Sequence, residues 1–382
     1  MGDAIKFETT RLQKHFDSLA LRYNFEGVIG RGFFGCTFMI RENHAPGPAL
    51  PAAGKGKRKR GLESIIEAVK KVKISPVQII QAAKRKITPP GQGGTNSGNG
   101  SPSGPPIEGA IAGRDVSPDP NTTSRRLCLK RALGAQGVSS LRTETQVLRE
   151  VNGAAHIVRL IAYRDDSFKE GRRLAKLPWP RTPPDQGDFL AGLIGPVLVT
   201  EFLPNGTLAR VIERLNAADA PPTPNRVLWA LYSCVVRACI GMAYPARRLP
   251  SEPPQLETIP RSNQELAPIV HGDVHVPNVM FGNINPSSPE HRLIPIMKLI
   301  DFGESSQDER LATGPPGAQN IFDTARLIYN LIRRSTSTDN PAPDGPENFG
   351  NIRTRAVNFS DQRRSNRAVD MDLQHLICAA SE

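Results

Sequence analysis

Apolar positions along the chain change period several times, and each change marks an element. Leu12, Phe16 and Leu19 recur at i, i+4 and i+7 and predict a short amphipathic helix over residues 7–21. Residues 23–29 and 36–40 read as two strands around a glycine-rich turn. Residues 125–133 form a further short strand. A helix over 139–152 follows, opening on serines suited to capping and carrying Leu141, Val147, Leu148 and Val151. Residues 156–160 read as a strand, and 195–208 as a buried strand, a hinge and a helix start. Residues 227–242 are an apolar helix. The stretch 269–281 has an apolar approach, a polar loop and an apolar exit, and 297–303 is a short apolar strand ending in Asp-Phe-Gly. Two apolar-periodic helices close the chain, at 320–332 and 371–378.

Composition changes that picture between the elements. The 382 residues include 35 Pro and 33 Gly, so much of the chain is expected to be loop. The stretch 41–124 breaks the periodic pattern, and 165–192 and 245–267 are shorter polar, Pro-containing breaks. The net charge of +12 is uneven: Lys and Arg crowd residues 55–60, 70–73 and 84–86. Leu62, Ile65, Ile66, Val69 and Val72 lie at helical spacing, whereas 91–106 is Gly/Ser/Pro/Asn-rich and expected to be disordered. The basic run 55–60 reads equally as a nuclear-import or anion-binding segment and as a solvated linker. No aromatics interleave with it, which disfavours nucleic-acid binding by base stacking.

Five cysteines show no C-x-x-C pair and no metal-ligand spacing, which suits reduced thiols. The N-terminus lacks the apolar run of a signal peptide, and Lys6 breaks the myristoylation pattern. The best membrane candidate, 227–244, is interrupted by Arg237, so no span or membrane partner is expected. The expected location is intracellular, cytoplasmic or nuclear.

Candidate chemistry centres on His271-Gly272-Asp273-Val274-His275-Val276-Pro277-Asn278 and on Asp301, 28 residues after Asp273. Asp273 can orient or deprotonate a hydroxyl, while Asn278 and Asp301 offer the hard oxygen ligands that Mg²⁺ prefers. Gly30, Gly32 and Gly35, with Phe34 at the tip, form a G-x-G-x-x-G turn whose backbone can approach phosphates. It sits between two strands, which disfavours a dinucleotide-binding Rossmann turn. Lys130 lies in a strand, and Glu144, 14 residues on, lies in the following helix; Glu150 is the alternative partner.

These motifs, taken in order, resemble the protein kinase superfamily: a glycine-rich loop, a strand Lys, a helix Glu, an H-R-D-x-x-x-x-N-like loop and D-F-G. The resemblance covers residues 23–40, 125–164, 193–245 and 266–333 in pieces, with 370–380 weaker. It implies an α+β, two-lobed protein-kinase-like fold. The small lobe would comprise 23–40 and 125–203, with a helical extension at 1–22 and a disordered basic insertion at 41–124. The large lobe would be 204–382 and shortened at its C-terminal end.

The resemblance further implies transfer of the ATP γ-phosphate, with Mg²⁺, to a hydroxyl of a protein or small molecule. Lys130, held by Glu144, would grip the phosphates. Backbone groups near Glu201 and Leu203 would hold adenine, with Thr200 as gatekeeper. Asp273 would handle the acceptor proton, Asn278 and Asp301 would bind metal, and Asn320 would open the helix that anchors the catalytic loop. Departures from the family pattern are equally specific. Gly272 replaces Arg, His275 replaces the Lys that steadies the transferring phosphate, and no Ala-Pro-Glu follows Gly303 before the next helix. The H-G-D-x-H-x-x-N loop is also similar to the aminoglycoside and choline kinase branch. A degenerate, non-catalytic binding module is the third reading.

Overall fold

The computed structural model describes residues 2–32, 35–43, 124–165, 189–261, 266–267, 269–286, 288–307, 317–336, 347–349, 352–354 and 369–380. Residues 44–123 lie outside the described residues. The basic run, its helical-spacing stretch and the Gly/Ser-rich segment all lie there.

The described part is mixed α and β. Helix α1 (Gly2–Asp17) leads into β1 (Tyr23–Arg31) and β2 (Gly35–Glu42), followed by β3 (Arg125–Ala132) and α2 (Gly134–Val151). Strands β4 (Leu160–Arg164) and β5 (Val197–Glu201) complete an antiparallel five-stranded sheet of order β1-β2-β3-β5-β4. Then come α3 (Leu208–Ala217), α4 (Asn225–Ala243), the two-stranded β6 (Val279–Phe281) and β7 (Met297–Leu299), and α5 (Ala318–Arg333). A hairpin of β8 (Glu347–Phe349) and β9 (Ile352–Thr354) precedes α6 (Met371–Ala379).

Alternation drives the sheet. Strand β2 buries Cys36, Phe38, Ile40 and Glu42 and turns the residues between them outward, the period-2 signature of a strand with one face on a core. That face packs on α1 through Ile5, Leu12 and Phe16, with Tyr23 and Phe189 stacked at 4.4 Å. A second core gathers α2, α3, α4, α5, α6 and the β6–β7 pair. Helix α4 is long and apolar enough to cross a membrane, with a mean hydropathy of 1.4. It buries Leu228, Leu231, Val235, Ala238 and Met242 in this core, as the central helix of a folded domain does.

Several boundaries differ from the sequence expectation. Helix α1 starts five residues early and ends before Leu19, which packs beside it rather than within it. Strand β2 runs on to Glu42 because that carboxylate is buried and bonded by Tyr23, Arg22 and Arg125. The stretch 156–159 is not a strand: Ile157 and Val158 bridge to Leu299, and regular pairing begins at Leu160. The approach to His271 is likewise a single bridge, Val270 to Ser306. The polar break at 165–192 ends in Phe189 and Leu190, both buried in the sheet core.

Candidate active site

The sheet and α2 meet at Lys130. In β3, Lys130 points away from the α1 core, and α2 presents Glu144 one helical face above it. The ammonium lies 2.6 Å from Glu144 Oε1 and 3.3 Å from Asp301 Oδ1. Glu150 instead accepts from Gln307 at 2.9 Å, which resolves the choice of partner in favour of Glu144. Burial works against a charge on Lys130, but the two carboxylates outweigh it and hold its pKa above the usual lysine value. Glu144 is buried, whereas the Asp301 side chain is half exposed and free to meet a ligand.

Beside this triad opens a cleft of about 430 Å³, within the range of small-molecule sites. Gly30, Gly32, Gly35 and Thr37 form one wall, Ser140, Leu141 and Glu144 another, and Thr207, Pro277 and Asp301 the floor. Gly35 is required there, because a Cβ would sit 2.3 Å from the Arg131 carbonyl. Phe34 lies outside the described residues. Glu201 and Leu203 do not line this cleft. The Glu201 N–H donates to the Arg159 carbonyl at 3.0 Å, and its carboxylate holds the buried Lys298 at 2.6 Å. Leu203 is buried. Ser140 and Thr207 belong to no chemical motif and are found only by folding the chain, whereas Pro277 lies inside the 271–278 loop.

The loop 271–278 is fixed from beneath. Asn320, in the first turn of α5, accepts from the His271 N–H at 3.0 Å and donates to the Ile269 carbonyl at 2.8 Å. An amide supplies both a donor and an acceptor here, which a carboxylate could not. His271 is fully buried. Its Nδ1 accepts from the Asp273 N–H at 3.2 Å, its Nε2 faces the Ile300 carbonyl at 3.1 Å, and its ring packs on the buried Phe302. Burial lowers its pKa to about 4, so the ring is neutral at pH 7.

Asp273 is held at both oxygens. His275 Nδ1 lies 3.1 Å from Oδ1, and the Asn278 amide donates to Oδ2 at 2.7 Å. The hydrogen bond from His275 is the main cause of a lowered Asp273 pKa, and the same contact raises that of His275. With its nitrogen committed to Asp273, Asn278 has its side-chain oxygen left for other partners. The structure thus brings Lys130, Glu144 and Asp301 into one cluster and Asp273, His275 and Asn278 into another. Pro277 in the cleft floor links the two.

Two residues near the site have left-handed backbone. Gly272 has φ +78°, and a Cβ there would lie 2.4 Å from the Glu304 carbonyl oxygen, so no side chain is accommodated. Asp301 has φ +65°, a left-handed conformation that Asp tolerates better than most residues and that recurs at functional sites. No family model matches the chain, and no curated protein matches it.

Proposed function

We propose that the chain is a phosphotransferase of a two-lobed, protein-kinase-like fold, which moves the ATP γ-phosphoryl group to a hydroxyl. The observation that carries this reading is Lys130, gripped by a buried Glu144 on one side and a half-exposed Asp301 on the other, under a glycine hairpin. A charged Lys so held is a fixed cation where a polyphosphate needs one. The donor set left for a cation, the Asp301 carboxylate and the Asn278 amide oxygen, is hard oxygen and fits Mg²⁺, which when bound would neutralise phosphate charge.

In this reading Asp273 accepts the proton of the attacking hydroxyl, the new O–P bond forms, and ADP leaves. His275 and Asn278 aim Asp273 by fixing both its oxygens. Asp273 stays ionised at pH 7, so it is ready to take the proton, a contribution of roughly 10²–10⁴-fold for a general base. The acceptor is a protein hydroxyl in the first reading. A small-molecule acceptor is favoured by one observation: Gly272 has no space for the Arg found in protein kinases, and His275 stands beside it.

A thermal melt with and without Mg²⁺-ATP tests nucleotide binding. Ligand at about 100 times its dissociation constant adds roughly 2.7 kcal/mol of stability. The wild type should shift upward, and Lys130→Ala and Asp301→Ala should not. No shift up to millimolar nucleotide would sink the phosphotransferase reading and leave a binding module. Phosphate transfer to a basic protein against transfer to amino alcohols then separates the two acceptor classes.

A further inference from the structure

A second cluster of metal-ligating side-chain types lies next to β7, where the Leu299 N–H donates to the His156 carbonyl. His156 comes from the loop between α2 and β4, Cys234 from the middle of α4, and His291 from the connection between β6 and β7. All three are buried, and their ligand atoms lie within 4.8 Å of one another. We propose that His156, Cys234 and His291 bind one zinc ion, with a water in the fourth, open position of a tetrahedron, at a site separate from the nucleotide cleft.

The geometry suits the ion. The two Nε2 atoms are 3.1 Å apart, close to the roughly 3.4 Å edge of a tetrahedron with Zn–N bonds of about 2.1 Å. Glu257 supplies the outer support that metal-bound histidines use: Oε1 accepts the His156 N–H at 2.6 Å, and Oε2 lies 2.7 Å from His156 Nδ1. That contact keeps the hydrogen on Nδ1 and turns the Nε2 lone pair toward the other two ligands. Charge closes as well. A divalent ion, the Cys234 thiolate and the Glu257 carboxylate sum to zero inside a buried site, which is the condition for burying charge at all. Binding displaces the thiol proton to solvent. Without an ion, one imidazole must donate to the other.

The site would act as a staple. His156 and Val158 flank the residue that bridges to Leu299, and β7 ends two residues before Asp301. One ion would therefore tie the α2–β4 loop, α4 and the β6–β7 connection to the strand that delivers Asp301.

The test is zinc content and affinity of the full chain. After incubation with one equivalent of zinc and dialysis, the wild type and Asp301→Ala should each retain about one ion per chain, and Cys234→Ser should lose it. Glu257→Gln should weaken zinc in competition with a chromogenic chelator by about 10–100-fold. Cobalt(II) in the same site should give a thiolate-to-metal charge-transfer band that is absent from Cys234→Ser. A wild type that holds no zinc and gives no such band overturns the proposal, as does equal zinc retention by Cys234→Ser. Should that variant fail to fold, the wild-type cobalt spectrum and Glu257→Gln decide alone.

Discussion

Two buried histidine environments lie near β7, one against Ile300 and one against Leu299, and they differ in how their ring nitrogens are engaged. His271 has both ring nitrogens engaged, one by the Asp273 N–H and one facing the Ile300 carbonyl, and Phe302 covers its ring. His291 has one nitrogen against the His156 ring, a contact in which one imidazole must donate to the other. A satisfied histidine fixes backbone, as His271 does for the loop that carries Asp273. One that faces a second imidazole and a thiol is a candidate ligand set. Burial alone does not separate the two; the accounting of donors and acceptors does.

The largest effect sharpens the front side. Asp273→Asn should reduce phosphate transfer by roughly 10²–10⁴-fold while leaving the Mg²⁺-ATP thermal shift in place, because the amide keeps the size of the side chain but cannot take a proton. Full turnover by that variant would remove Asp273 from the chemistry.

Next comes the acid lability of His271. Its folded pKa of about 4 lies below the unfolded value of about 6.5, so the unfolded chain takes up the proton first. Stability should therefore fall as pH drops from about 6.5 toward 4, by about 3 kcal/mol from this residue. Denaturant melts across that range should show the loss, and His271→Gln should flatten it. An equally steep fall in the variant would assign the loss to other groups.

Gly272→Ala should cost about 1–3 kcal/mol from backbone strain, and more from the clash with the Glu304 carbonyl. The measurement is the denaturation midpoint. A neutral result would mean that the turn relaxes, and would reopen the acceptor question that Gly272 bears on.

The smallest effect is the Asp273–His275 pair. Asp273 is depressed, so its share is present above its unfolded pKa and lost as pH falls through the folded value. His275 is raised, so its share is present below its unfolded pKa and lost as pH rises through the folded one. The pair therefore stabilises most in mildly acidic solution and fades above the raised His275 pKa. Both side chains meet solvent, so the contribution is at most about 1 kcal/mol after screening. The stability gap between wild type and His275→Gln should narrow from pH 5.5 to pH 8.5; a constant gap would mean packing rather than charge.

What was legible in the sequence was mostly local. Period-2 alternation marks β2 and the 3.6-residue period marks α2, α4 and α5, because each segment buries one face whatever its partner. The residues of the 271–278 loop lie within eight positions, so their mutual contacts are set by a short turn. Glu144 was expected to hold Lys130 only through the family resemblance, with Glu150 as the alternative, and the fold shows that Glu144 does so while Glu150 turns to Gln307. Strand starts at 156 and 269 were misread because apolar runs of three or four residues pack as well in a bridge as in a strand.

By itself, then, the chain's order of residues determined the elements and the short-range constellations, since these depend on neighbours a few positions apart. Only the tertiary structure decided which distant groups converge. It placed Asp301 on Lys130 and Asn320 under His271, and it left Glu201 on Lys298 rather than in the cleft. It also joined His156, Cys234 and His291 from a loop, a helix and a connection that no spacing rule links. The physical reason is that β7 and the residues just after it pack against elements far apart in sequence, with the Leu299 N–H donating to the His156 carbonyl and His271 facing the Ile300 carbonyl.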